Sequence, residues 1–200
     1  SCVNNTISNL TITGGYASNY GGGIYLDNAS PTLSQITLED NYAYWYGGGI
    51  SLTDSDPILI DVIISNNDAD FSGGGVRAQN ANLDFTRVTI DGNTCETFTN
   101  GLTIQDGTLT LSQCTFINNE IYSYSSDLTV SNTEFIRNED HIGDGWGNAI
   151  TMALSYQESP DYSGSYIIEN STFDGTNKSL SAVGPFSGQV LNSTFSNNID

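Results

Sequence analysis

Aromatic side chains recur in the short segments that precede runs of glycine. They are Tyr16 and Tyr20; Tyr42, Tyr44, Trp45 and Tyr46; Phe71; Phe98; Tyr122 and Tyr124; then Trp146. Tyr20, Tyr46, Phe98 and Tyr124 fall on a common step of 26 residues, and Phe71 lies beside Ser72, the position that interrupts the series. A ring next to Asp, Asn or a phenolic hydroxyl offers a flat apolar face flanked by hydrogen-bonding groups, which is what a sugar ring requires. The same rings could instead pack on one another above the loops, or meet a neighbouring protein. On any of these readings the expected contact stripe comprises Tyr20, Tyr44, Trp45, Tyr46, Phe71, Phe98, Tyr124 and Trp146.

Carboxylates supply the second candidate chemistry. Calcium needs several oxygens converging on one point, and Asp68, Asp70 and Glu96 sit where successive repeats could bring them together. Glu39-Asp40 and Glu139-Asp140 with Asp144 are further candidates, although none matches a D-x-D-x-D-G loop. His141, the sole histidine, stands between acids and Trp146. It suits either general acid–base work or a solvated loop. Arg77 and Arg87 are the closest basic pair, but they fall on different strands of one repeat. Asp61 and Asp84 are the outward carboxylates that a glycosidase would need on adjacent repeats, yet no Asp-Asp or Gly-His-Gly motif accompanies them.

The charge balance narrows the partners. Four basic residues face 23 acidic ones, for a net charge of −19. Phosphate binding needs Lys or Arg to displace counterions, so nucleic acid and anionic lipid are not expected partners. Apolar runs are short, so no membrane-spanning helix is expected. Cys2, Cys95 and Cys114 have no zinc-ligand spacing, and free thiols are expected. Residue 1 is Ser and both termini fall inside the repeat pattern, so a segment of a longer chain is expected.

The elements that must hold these groups are written in the spacing of the apolar residues. Ile12, Leu38, Ile64, Ile90 and Phe116 are 26 apart, as are Ile7, Leu33, Leu59, Phe85 and Leu111. Ile24, Ile50, Val76, Leu102 and Leu128 keep the same step. A fixed period of this length marks stacked repeats. Within residues 21–46, Ile24-Tyr25-Leu26 alternates in and out, Asp27 to Pro31 is turn-rich, Leu33 opens a second strand and Ile36-Thr37-Leu38 a third. Three short strands and three corners per repeat cannot form hairpins with an apolar face of their own. They can form a coil in which each strand pairs with its copy above and below, roughly 4.8 Å away.

The expected fold is therefore all-β: a right-handed parallel β-helix of about eight coils with three short strands per coil, and with right-handedness following from parallel crossover connections. One domain spans 1–200, with regular coils over 1–130 and irregular coils over 131–200. Asn41, Asn67, Asn93 and Asn119 form a column that Asn138 continues, and stacked amides can hydrogen-bond along the axis. Asn28, Asp54, Asn80 and Asp106 form a second corner column. Past residue 120, Leu128 and Val130 are expected to keep the first strand, with one corner seven residues short before Phe135. Extra residues within 153–164 form an inserted loop.

Gly-Gly-Gly-Ile at 21–24 and 47–50 and Gly-Gly-Gly-Val at 73–76 resemble the GG-x-[ILV] tetrapeptide of polymorphic outer-membrane-protein repeats. Phe116 to Asn119, Phe135 to Asn138 and Phe195 to Asn198 resemble the partner motif F-x-x-N, with aliphatic versions at Leu38–Asn41, Ile64–Asn67 and Ile90–Asn93. The resemblance implies a β-helix within the pectate-lyase-like class and an extracellular or cell-surface location. It also implies a role in adhesion or surface assembly. The motifs are scaffold motifs, and function passes through them only by analogy. The alternatives are a secreted polysaccharide lyase or glycoside hydrolase, a carbohydrate-binding module, and a subunit of an extracellular filament or sheath. The expected partner is a glycan or a protein surface, or another copy of the chain. No cofactor is expected beyond possible calcium, and no catalytic set emerges.

Overall fold

The computed structural model describes residues 2–137, 148–153, 164–176 and 178–198, with the side chains of residues 2–4 and 178 left aside. Every described strand is parallel to its neighbours, and three ladders run the length of the body. The first pairs Ile24, Ile50, Val76, Leu102, Ile121, Ile150 and Leu180 in turn. The second passes through Ile7, Leu33, Leu59, Phe85, Leu111 and Val130. The third passes through Ile12, Leu38, Ile64, Ile90, Phe116, Phe135, Phe173 and Phe195. Among the described residues there is no helix, and none that is long and apolar enough to cross a membrane.

The third ladder has eight rungs, but these do not make eight full turns. Cys2–Thr13 brings no first strand, and one later coil passes through residues outside the described set, leaving about six turns.

Side chains that point inward from the three ladders form one continuous core. Leu33, Leu38, Ile50, Leu59, Ile64, Phe85 and Ile90 are fully buried. Toward the C-terminal end the third ladder becomes a stack of rings: Phe116 on Phe135, Phe135 on Phe173 and Phe173 on Phe195, each with centroids 4.9 Å apart. Strand pairing thus places rings in register on successive coils even where the sequence step departs from 26 residues.

Each corner is turned by a residue at positive φ. Asn28, Asp54, Asn80, Asp106 and Ser125 turn the first corner, and Gln35, Asp61, Arg87, Gln113 and Asn132 are among those that turn the second. Asp40, Asn66, Gly92 and Asn118 turn the third. Asn, Asp and Gly tolerate this conformation best, which explains the turn-rich composition. The buried Asn column follows the third corner. Asn41 donates its side-chain amide to Asn67 Oδ1 at 2.9 Å, Asn67 to Asn93 Oδ1 at 2.9 Å, and Asn93 to Asn119 Oδ1 at 2.8 Å. The left-handed residue is the one before each of these asparagines, so their task is hydrogen bonding and not the turn itself. Asn138 lies outside the described residues.

One sequence expectation is overturned. Ile121, not Leu128, pairs with Leu102, and Leu128 pairs with Leu109 in the second ladder. The missing residues come out of the loop between the third strand and the next first strand. Nine positions separate Asn93 from Leu102, but only two separate Asn119 from Ile121. Apolar periodicity cannot tell the ladders apart when a corner shortens, because both strands present alternating inward residues.

Candidate functional site

The outer face of the first ladder and the loops that precede it form a trough. Its floor comes from outward residues at two offsets of the ladder. Tyr25, Ser51, Arg77 and Thr103 are paired rung to rung, and so are Thr53, Gln79, Gln105 and Tyr124. Its wall is aromatic. Tyr20 bridges to Tyr46 and Tyr46 to Ser72 in a short ladder of their own. The glycines that follow let the wall stand close to the sheet, because a Cβ on Gly22 would collide with the carbonyl oxygens of Tyr42 and Gly48.

The rings of the wall touch one another. Tyr20 stacks on Tyr46 with centroids 5.6 Å apart and on Tyr25 at 5.7 Å. Phe71 meets Tyr46 edge-on at 5.3 Å, Trp45 at 5.8 Å and Phe98 at 4.9 Å. Mutual packing does not consume them, since Tyr20 keeps 46% of its surface exposed, Trp45 41% and Phe98 41%. Two adjoining cavities of about 220 and 440 Å³ lie against this wall and share Tyr46, Arg77 and Gln105. That size is appropriate to a small ligand, whose sites run roughly 300–1,000 Å³.

Arg77 occupies the middle of the trough. Its guanidinium carbon lies 5.5 Å from the centroid of the Tyr46 ring, within cation–π range. One terminal nitrogen donates to the Ala78 carbonyl and the other to Gln105 Oε1 at 3.0 Å. Burial pulls its pKa down, while Tyr46 and Asp106 hold it up; an arginine so placed stays a cation. Among the described residues no Asp or Glu lines either cavity, in a chain with 23 acidic residues. Tyr124 closes the C-terminal end beside Tyr122, with centroids 4.5 Å apart, and burial together with the Tyr122 contact pushes its phenol up to about 12.

The sequence-derived contact residues are therefore divided. Tyr20, Tyr46, Phe71 and Phe98 share the aromatic wall. Tyr44 packs edge-on against Trp45 at 5.3 Å, on the outer side of the same loop. Tyr124 does not belong to the loop column; it stands on the first ladder opposite Gln105, because of the shortened corner, and reaches the trough from the floor. Trp146 lies outside the described residues, as do His141, Glu139, Asp140, Asp144 and the 154–163 part of the inserted loop. Tyr25, Arg77, Gln79 and Gln105 were not anticipated as one surface. Their signal was present, since Tyr25, Ser51, Arg77 and Thr103 repeat at 26 residues one position after the inward column.

The carboxylates do not converge. Among the described residues no group of three or more His, Cys, Asp or Glu is placed to hold a metal ion, so Asp68, Asp70 and Glu96 do not form the calcium site that their spacing suggested. Asp68 accepts from Thr94 Oγ1 at 2.7 Å and Asp70 from the Tyr42 hydroxyl at 2.8 Å. The latter bond pushes the Tyr42 phenol up to about 12. Arg87 is not available to the trough either, because it donates to both oxygens of Asp61 at 2.6 and 2.9 Å across an exposed corner. Arg77 is thus set apart from its sequence neighbour. Cys95 and Cys114 are free thiols, and burial pushes both above their ordinary pKa.

Glu120 was not foreseen. The shortened corner buries it beside Phe98, Thr99, Tyr122 and Thr151, where its carboxylate accepts the Asn100 N–H at 2.8 Å. Burial pushes its pKa up to about 7.

Three parallel ladders turned by left-handed residues around an apolar core define the architecture. The profile described as "Right handed beta helix region" matches residues 22–200. The chain belongs to the right-handed β-helix family. No curated protein and no solved structure matches it. In a right-handed β-helix the recurring unit is the coil, so a side chain at one outward position is repeated along the axis. The trough is such a repeated surface, with Arg77 as the single charged side chain among the described residues that line it.

Proposed function

We propose that this right-handed β-helix is an extracellular or cell-surface repeat protein that acts in adhesion or surface assembly, and that it contacts glycan through the trough. The observation that carries the reading is the meeting of an aromatic wall, with Tyr20 exposed and the half-buried Tyr46 stacked on it, with a floor of Gln, Ser and Thr. Pyranose rings bind by laying C–H faces on aromatic rings while their hydroxyls find amide and hydroxyl partners. The Gly-Gly-Gly-Ile and F-x-x-N motifs support placing the chain close to polymorphic outer-membrane-protein repeats, and with it the surface location. The long acidic exterior supports an extended, soluble display.

The test is retention on a panel of immobilised saccharides, neutral and acidic, read alongside release of reducing ends or unsaturated products. Specific retention without product supports an adhesive module. Product formation sinks the adhesive reading in favour of a polysaccharide-active enzyme, and no retention on any saccharide sinks the glycan reading.

A further inference from the structure

The row of loops that carries the aromatic wall ends at residues 94–100. Four short strands run along the row, Tyr16–Ala17, Tyr42–Ala43, Asp68–Ala69 and Thr94–Cys95. Among the described residues the last of them has a partner on one side only. The next coil passes from Asn119 straight to Ile121, so it supplies no loop to cover this one. Toward the preceding coil the loop is well held. The Gly73 and Gly74 N–H groups donate to the Thr99 carbonyl, the Gly75 N–H to the Asn100 carbonyl, and the Glu96 N–H to the Ala69 carbonyl.

Toward the following coil a different kind of group takes over. Gly22, Gly74 and Asn100 stand at equivalent positions of the 26-residue repeat. Gly22 donates its N–H to the Gly47 carbonyl at 3.1 Å, and Gly74 to the Thr99 carbonyl at 3.1 Å. The carbonyl that Asn100 would use belongs to the loop that the next coil lacks. Its N–H donates to Glu120 Oε1 at 2.8 Å instead, so a buried side-chain carboxyl replaces a backbone carbonyl and caps the row. Asn100 passes the tie onward. Its Oδ1 accepts the Cys95 N–H at 2.8 Å, and the Phe98 N–H donates to Cys95 Sγ at 3.5 Å. Phe98 stands between this cap and the trough. It lines the small cavity at Glu120 and also the cavity that holds Tyr46 and Arg77, and its ring meets Phe71 at 4.9 Å.

A backbone carbonyl cannot ionise, and a carboxyl can. Burial is the largest influence on Glu120 and favours its neutral form. The N–H groups of Asn100 and of Glu120 itself, together with Arg137, favour the ionised form and do not outweigh burial. The other titratable groups around it among the described residues are the Tyr122 phenol and the Cys95 thiol. An ionised carboxylate gains hydration by leaving such a site, and leaving breaks its bond to Asn100.

We propose that Glu120 is a proton-operated clasp on the aromatic wall. Its neutral carboxyl holds residues 95–100 closed, with Phe98 against Phe71. Its ionisation, with the proton released to water, swings the carboxylate outward and frees the loop. The clasp stands on the geometry of the shortened corner and does not depend on what the trough binds.

The experiment is hydrogen exchange at single amides, read by NMR between pH 4.5 and 8 and expressed relative to the intrinsic rate at each pH. The Asn100 and Cys95 N–H groups report the state of the loop. The closed loop holds its proton with a pKa of about 7, against 4.5 for a solvated carboxyl. Opening should therefore become up to roughly 300-fold easier as pH rises through that window, and protection at Asn100 should fall by the same factor. Gly22, whose acceptor is a carbonyl several coils away, should keep constant protection. Glu120→Gln, an acceptor without a titrating proton, should hold Asn100 protected at every pH. Glu120→Ala, with no acceptor, should leave it weakly protected at every pH. Thermal unfolding confirms that both variants fold. Nuclear Overhauser contacts between Phe98 and Phe71 should follow Asn100: strong at pH 5 and weakened at pH 8 in wild type, and strong at both in Glu120→Gln.

Protection at Asn100 that stays constant or rises with pH overturns the proposal, as does an equal fall in Glu120→Gln. A fall of the same size at Gly22 marks opening of the whole stack and overturns it too. So does Glu120→Ala with wild-type protection at pH 4.5. None of these measurements involves a saccharide, so the clasp and the glycan reading fail separately.

Discussion

Asn67 and Asn93 are joined twice. The Asn93 side-chain oxygen accepts from the Asn67 backbone N–H at 3.0 Å and from the Asn67 amide at 2.9 Å. The Asn67 amide also donates to the Leu38 carbonyl at 2.9 Å. Each coil is thereby tied to the coils on both sides at a fully buried corner.

Asn67→Ala keeps the backbone N–H bond to Asn93 but removes every bond of the side chain, so the Leu38 carbonyl loses this donor and the Asn41 N–H and amide lose their Oδ1 acceptor. A buried polar group left without its partner costs about 1–3 kcal/mol, and more than one is affected here, so a loss of roughly 2–6 kcal/mol is expected. Urea denaturation followed by circular dichroism checks it. Asn67→Asp should be at least as damaging, since it cannot donate to Leu38 and buries a charge. A loss below about 0.5 kcal/mol in Asn67→Ala would show that the ladder is incidental.

The stack of phenylalanines makes a second prediction. Phe135 lies between Phe116 and Phe173, with centroids 4.9 Å away on each side. Phe135→Ala removes a ring from a fully buried site and should cost about 3–5 kcal/mol, with Phe135→Leu costing less. Because a solenoid is a chain of nearest-neighbour interfaces, the transition should also broaden or split. A sharp, unshifted transition would contradict the packing described.

Glu120 carries a pH dependence whose direction is opposite to that of a salt-bridged acid. Its folded pKa, about 7, lies above the unfolded value of 4.5. The folded state therefore binds the proton more tightly. Stability from this group is fully present below about pH 4.5, falls as pH rises to about 7, and is then constant. With about 1.4 kcal/mol per unit, the fall is up to about 3 kcal/mol. Glu120→Gln, which can still accept from the Asn100 N–H, should lose less stability than wild type across that window. Parallel curves for the two proteins would refute the assignment.

Most of the scaffold was legible from spacing alone, and the reason is geometric. A coil that repeats its path must repeat its inward residues, so Leu38, Ile64 and Ile90 announce the third ladder, and Asn41 to Asn119 announce the buried corner. Legibility fails where the period fails. The seven-residue deletion after Asn119 shifted Leu128 and Tyr124 to the wrong ladders, because an inward alternation looks the same on any of the three faces. The site was half legible for a different reason. Aromatic residues that recur before the glycine runs are visible in the string, so Tyr20, Tyr46, Phe71 and Phe98 were found. Arg77 and Gln105 join the site through a hydrogen bond between residues 28 apart, and the 26-residue columns do not show which outward side chains on neighbouring rungs reach each other.

Net charge gives a kinetic prediction. At long range a surface of −19 repels an acidic oligosaccharide, and the Debye length shrinks from about 30 Å at 0.01 M salt to about 8 Å at 0.15 M. The association rate of the acidic saccharides of the panel should therefore rise with salt over that range in stopped-flow measurements, while that of the neutral saccharides stays nearly constant. An acidic saccharide whose association slows with added salt would contradict control of the encounter by the net charge.

The central claim is that the trough beside Tyr46 is the contact face. It is tested most directly by titrating the tightest-binding saccharide of the panel into wild type, Tyr46→Ala and Tyr16→Ala. Tyr16 is an exposed ring stacked on Tyr42 at 5.3 Å and lines neither cavity, so it controls for the loss of any surface aromatic. The account predicts that Tyr46→Ala weakens binding at least roughly tenfold, as loss of a central aromatic contact does, with Tyr16→Ala unchanged. Equal affinity in Tyr46→Ala and wild type, or a loss confined to Tyr16→Ala, would contradict it.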